Sequence, residues 1–126
     1  MSTLKLDTLS NKAGTASVPS DTIVSGTAKA WVNFNGTGTV AIRQSFNVSS
    51  ITDIGTGHYR VNFTNAMLDA DYSVIVLAGS SSSSTNYRTF LHYSEAPTTT
   101  TFRVLFNNAG DTAQVDVEYV NVAVFR

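Results

Sequence analysis

From residue 28 onward the chain breaks into short alternating segments at nearly regular intervals, and this spacing constrains the fold more than any other feature. The segments run over residues 28–34, 39–43, 46–53, 58–63, 72–79, 87–94, 100–106 and 114–125. In the first, Ala28, Ala30, Val32 and Phe34 fall on one face and Lys29, Trp31, Asn33 and Asn35 on the other, the period of a strand with one face buried. Its end, Asn35-Gly36-Thr37-Gly38, supplies residues that accept positive backbone angles in a tight hairpin, and Val40 begins the return strand. The other separators also carry turn chemistry: Gly55-Thr56-Gly57, Asn65 with Asp69 and Asp71, Gly79 followed by five serines, Ala96-Pro97-Thr98, and Asn107-Asn108-Ala109-Gly110-Asp111. Such spacing indicates an all-β sandwich or barrel, and we expect an antiparallel β-sandwich over residues 28–126. The one helical candidate, residues 65–71, is too short to persist without tertiary support.

Residues 1–27 read differently. Leu4, Leu6 and Leu9 are isolated among polar residues, and Asn11 to Thr15 and Pro19-Ser20-Asp21 interrupt any element. We expect an extended N-terminal arm. Leu4 and Leu6 sit two apart, as a short strand requires, yet one such strand cannot bury its apolar face or satisfy its edge alone. Either it attaches to a neighbouring subunit or another protein, or it is a first strand folded onto its own domain, or a frayed terminus.

A chain of 126 residues is one domain by size and buries roughly two-thirds of its unfolded surface. Only 13% of residues are charged and the net charge is -1, which gives no electrostatic case for nucleic acid or an anionic membrane as partner. Attraction to any partner must come from shape, apolar contact or neutral hydrogen bonds. There is no cysteine, so disulfide staples and thiolate metal sites are excluded. Residues 1–6 lack a basic segment followed by an apolar core and no apolar run approaches a membrane span, so we expect synthesis in a cytoplasm and no membrane insertion.

The final segment changes phase. Val115, Val117 and Tyr119 alternate with Gln114, Asp116 and Glu118, but from Val120 the apolar set moves to Val120, Val122 and Val124. A one-residue slip exchanges the buried and exposed faces. Either a bulge sits near Tyr119 and Val120, or Val120, Val122, Val124 and Phe125 face another subunit as an oligomer contact. Trp31, the single tryptophan, lies opposite Ala30, Val32 and Phe34 and is expected to point outward, where it either caps the second face of the sandwich or stacks on a glycan. Tyr59, Tyr72, Tyr87, Tyr93 and Tyr119 carry the same ambiguity, with core packing the default. The run from Ser80 to Ser84 cannot build a core and is expected to be a loop, either a hairpin connection or a tip that touches glycan hydroxyls.

For catalysis the chain offers little. His58 and His92 lie in different segments with no serine, carboxylate or second histidine at a spacing that suggests a triad or metal site. Asp69 and Asp71 alone make a weak calcium loop and a better turn. Nine acids nominate no glycosidase pair by spacing. We expect no catalytic residue, no cofactor and no metal.

Residues 26–38 and 42–53, followed by Gly55-Thr56-Gly57, Tyr59, Val61, Asn62 and Phe63, and then by Ala66-Met67, Asp69, Ala70 and Tyr72, together resemble a β module of tailed-bacteriophage structural proteins, notably tail-fibre and other virion-surface proteins. The resemblance implies a virion structural protein, a homotrimer that contacts other phage tail or capsid proteins and contributes to host adsorption. It brings no catalytic residue with it. The short chain departs from long fibres and favours a short tail or head fibre; alternatives are a capsid decoration or cement protein held by its arm, and a carbohydrate-binding module that reads bacterial surface glycan through Trp31. Its expected location is the virion, assembled in the bacterial host cytoplasm.

Overall fold

The computed structural model describes residues 2–81, 87–91 and 95–126, with Leu91 described by its backbone alone. Its elements in chain order are β1 (Thr8–Ser10), β2 (Ser17–Pro19), α1 (Ser20–Gly26), β3 (Ala30–Asn35), β4 (Ala41–Phe46), β5 (Val48–Gly55), β6 (His58–Phe63), β7 (Ser73–Gly79), β8 (Tyr87–Leu91), β9 (Thr101–Asn108) and β10 (Tyr119–Phe125). β3 to β10 form two antiparallel four-stranded sheets, in the order β4-β3-β10-β7 and β5-β6-β9-β8. The expected all-β sandwich is the architecture found.

Its core follows from alternation. Ala30, Val32 and Phe34 of β3 and Val120, Val122 and Val124 of β10 face Tyr59, Val61 and Phe63 of β6 and Phe102, Val104 and Phe106 of β9, all of them buried. Each of the larger apolar side chains so enclosed contributes about 1.5–3 kcal/mol. The aromatic rings meet edge on or tilted rather than flat: Phe34 and Tyr59 lie 5.3 Å apart at 73°, Phe63 and Tyr72 5.6 Å apart at 80°, the geometry that ring quadrupoles favour.

One residue, Asn47, carries the chain from β4 in the first sheet to β5 in the second. It turns this corner at a φ of 54°, a left-handed conformation that asparagine accepts better than most residues. Its side-chain amide donates to the carbonyls of Lys29 (3.1 Å) and Asn65 (3.2 Å), and its Oδ1 accepts the Asn65 amide proton at 2.8 Å. The corner is thereby tied to the start of β3 and to the segment after β6.

The oligomer contact expected at Val120, Val122 and Val124 is corrected. β10 is a central strand, between β3 and β7, so the valines' side is the inside of the sandwich and they are 0%, 4% and 1% exposed. Phe125 belongs to the opposite, outward set and is half-buried. The phase slip is neither a bulge nor an exit from the core. Residues 114–118 lie outside β10 and cross from the second sheet to the first: Val115 N–H donates to Phe106 O at 3.0 Å, Gly36 N–H to Val117 O at 2.8 Å, and the alternation restarts at Tyr119. The one bulge in the first sheet falls elsewhere, where the register of β3 with β4 jumps from Asn33↔Gln44 to Phe34↔Ile42 and leaves Arg43 unmatched.

Two local expectations also change. Residues 65–71 are not helical; Asp69 Oδ1 accepts the Asp71 N–H at 2.9 Å and closes a turn. The helix lies instead at α1, where the sequence seemed broken. Pro19 precedes it with a φ of -58° and Asp21 sits in its first turn, so the apparent breakers are start signals. In the arm, the strand is β1 rather than the Leu4 and Leu6 segment, paired with β2 around Asn11, whose Oδ1 accepts the Thr15 N–H at 3.0 Å.

Candidate functional site

The two sheets turn unlike outer faces to their surroundings. The four strands of the second sheet and their flanks carry Asp53, Arg60, Arg88 and Arg103. Glu95 joins two of these cations, bonding Arg60 at 3.1 Å and also pairing with Arg103, which holds its carboxyl below the usual range. This face is an ordinary solvated surface. The four strands of the first sheet hold a single charged residue, Arg43.

The register aligns the first sheet's outward side chains into rows. One row reads Phe46, Trp31, Ala123, Ile75, and the next Gln44, Asn33, Asn121, Leu77. Trp31 points outward as expected and is 37% exposed; Phe46, Ile75 and Leu77 are 54%, 59% and 67% exposed. Asn33 Nδ2 donates to Asn121 Oδ1 at 2.5 Å across the middle. Because Ala123 and Asn121 are short beside Trp31, Ile75 and Leu77, a shallow groove of about 280 Å³ runs along β10. The bulge aims Arg43 at Tyr119: its guanidinium carbon lies 4.3 Å from the ring centroid and Nη2 donates to Glu118 O at 2.8 Å. This cation–π contact masks the one charge on the face.

The arm presents a second unsatisfied surface. None of the described residues 2–27 is buried, and Leu4, Leu6 and Leu9 are 81%, 47% and 52% exposed. Ile23 and Val24 of α1 are exposed too. The sandwich closes its core without them.

Other candidates are dispersed. Tyr59 and Tyr72 are core residues, Tyr87 is half-buried, and Tyr93, His92 and residues 82–86 of the serine loop lie outside the described residues. Asp69 forms an ion pair with Arg126 that lowers its pKa, so its carboxylate is engaged at the turn. Among the described residues there is no group of three or more His, Asp or Glu side chains placed to hold a metal ion, and no helix is long and apolar enough to cross a membrane.

Trp31 was legible from alternation. Its apolar neighbours were not, because Phe46, Ile75 and Leu77 come from segments whose adjacency depends on sheet order. No protein-family model matches this chain, and neither a curated protein nor a solved structure does.

Proposed function

We propose that this protein is a non-enzymatic structural subunit on the surface of a bacteriophage particle, a homotrimeric module of a short tail or head fibre that contributes to host adsorption. The observation that carries the reading is the arm: residues 2–27 add no buried side chain to a sandwich that is complete without them, while Leu4, Leu6 and Leu9 stay exposed. These exposed leucines are apolar surface that the sandwich does not use and that a contact with another chain would cover. The likeness of residues 26–72 to phage virion modules supplies the setting, and the same arm laid along capsid subunits would make a decoration protein.

Deletion of residues 1–27 tests this. The expected result is a sandwich that still unfolds cooperatively, its far-ultraviolet circular dichroism changed only by the loss of α1 and the β1–β2 hairpin, and that no longer joins particles of the phage that encodes it. Retained particle binding by the shortened chain overturns an attachment role for the arm, and loss of folding assigns it to the domain.

A further inference from the structure

Asn35-Gly36, where β3 ends, is the one Asn-Gly pair in the chain. Among asparagine sequences this pair loses its side-chain amide most readily, because a glycine has no Cβ to hinder its own nitrogen from attacking the preceding carboxamide. The turn nevertheless requires both residues. Asn35 Nδ2 donates to Thr37 O at 2.7 Å, and its Oδ1 accepts the Thr37 N–H at 3.2 Å and the Thr37 hydroxyl proton at 2.8 Å. Gly36 is buried, and a Cβ there would lie 2.6 Å from the Tyr59 hydroxyl and 2.8 Å from Val117 O. An aspartate at 35 would lose the donor, and any side chain at 36 would clash. The fold therefore keeps a labile pair at a position where it cannot be exchanged freely.

Deamidation is a ring closure followed by hydrolysis. The Gly36 nitrogen gives its proton to solvent base and attacks Asn35 Cγ; the N–Cγ bond forms, the Cγ–Nδ2 bond breaks, and Nδ2 leaves as ammonia after taking a proton from water. Water then opens the succinimide at either of its carbonyls, which leaves aspartate or isoaspartate at 35. The closed fold withholds what this sequence needs. The Gly36 N–H donates to Val117 O at 2.8 Å, so deprotonation there forfeits a buried hydrogen bond and sets an anion against a carbonyl. The Tyr59 hydroxyl holds the Gly36 carbonyl at 2.8 Å, so the residue is gripped at both of its backbone polar groups. The Asp116 carboxylate, 2.9 Å from the same hydroxyl, opposes a further negative charge nearby. Thr37 meanwhile holds the Asn35 carboxamide through three hydrogen bonds of its own.

We infer that Asn35 is a latent deamidation site gated by the contacts of Gly36 with Val117 and Tyr59: the amide survives while this end of the sandwich is closed, and each local opening exposes it to conversion. The conversion is one-way. A carboxylate at 35 faces the Thr37 carbonyl to which the amide donated, and isoaspartate adds a backbone carbon beside the Asn35↔Ala41 pair of β3 and β4. An end that has opened and converted does not regain its closed contacts, so the chain accumulates a record of its openings.

The test holds the full-length chain in mildly alkaline buffer and follows the acid formed at residue 35 by mass spectrometry of the peptide that contains it. Four samples are compared: folded wild type, wild type unfolded in urea, Tyr59→Phe and Asn47→Gly. Tyr59→Phe loosens the gate, whereas Asn47→Gly removes hydrogen bonds at Lys29 and Asn65 and touches none of the gate's contacts. The expected conversion is roughly a hundredfold faster in urea than in the folded wild type, about tenfold faster in Tyr59→Phe than in the wild type, and unchanged in Asn47→Gly. A folded wild type that converts at the rate of the urea sample overturns protection by the fold. Equal acceleration in the two variants overturns the local gate and places conversion in the globally unfolded chain. A Tyr59→Phe protein that converts at the wild-type rate removes the hydroxyl from the gate and overturns the inference as stated. Should Tyr59→Phe fail to fold, hydrogen exchange of the wild type decides: a Gly36 amide that exchanges faster than that of Val61 supports local opening, and equal rates overturn it.

Discussion

The phenolic oxygen of Tyr59 stands 2.8 Å from the Gly36 carbonyl and 2.9 Å from Oδ1 of Asp116, so one hydroxyl proton serves acceptors from two different loops. The same carboxylate oxygen accepts the Gly57 N–H at 2.7 Å. This cluster fastens the β3–β4 turn, the β5–β6 turn and the β9–β10 crossing at one end of the sandwich. Both glycines are required by space: a Cβ on Gly36 would lie 2.6 Å from the Tyr59 hydroxyl, and one on Gly57, whose φ is +66°, would lie 2.6 Å from the carbonyl oxygens of Phe106 and Val115.

Tyr59→Phe keeps the ring in the core and removes only the hydroxyl. The Gly36 carbonyl loses a partner and Asp116 keeps fewer, so the expected loss is about 1–3 kcal/mol. Urea unfolding should show a lower midpoint at an unchanged slope. An unchanged midpoint would mean that water replaces the hydroxyl fully.

At the other end, Asn47 supplies both a left-handed corner and four side-chain hydrogen bonds to Lys29 and Asn65. Asn47→Gly removes the bonds and keeps the backbone freedom; Asn47→Ala removes both, adding about 1–2 kcal/mol of left-handed strain. The expected order of stability is therefore wild type, then Gly, then Ala, read from chemical denaturation. If Ala equalled Gly, the corner would have relaxed out of the left-handed region.

Alkaline pH probes the same core. Burial, and then the Asp116 carboxylate, push Tyr59 well above the ordinary tyrosine range, and burial pushes Tyr72 up to about 12. The Tyr72 hydroxyl donates to the carbonyls of Thr98 (2.9 Å) and Thr101 (3.1 Å). Both pKa values are raised in the folded state, so the unfolded chain loses these protons first, near pH 10. Stability is complete below that point and falls as pH rises from 10 towards 12. Denaturation midpoints taken at pH 9 and pH 11.5 should differ, and by less in Tyr72→Phe than in the wild type. An equal decline in that variant would place the alkaline sensitivity elsewhere.

Where apolar residues alternate without interruption, as in Tyr59, Val61 and Phe63 or Phe102, Val104 and Phe106, the sequence determines which side is buried, because only one register keeps those side chains from water. Val122 shows the limit. Its alternation is equally clean, but the restart at Tyr119 follows a crossing between sheets that no glycine or proline marks, so a reset and an outward face look alike. Asn47 hides in the same way between Phe46 and Val48, its signal being only that the outward and inward positions on either side of it fail to alternate. The rows on the first sheet were beyond sequence reasoning because they join residues as distant as Trp31, Ile75 and Ala123.

Lys29 N–H donates to Val124 O at 2.7 Å, placing the entrance and the exit of the sandwich on neighbouring antiparallel strands at one end. Tension between these two points would peel the β3–β10 ladder one bond at a time. Drag that pulls the far-end turns away from the arm acts along the strands instead and strains many bonds together. The same fold is therefore a zipper when pulled between its two ends and a tether when pulled between the arm and the far-end turns.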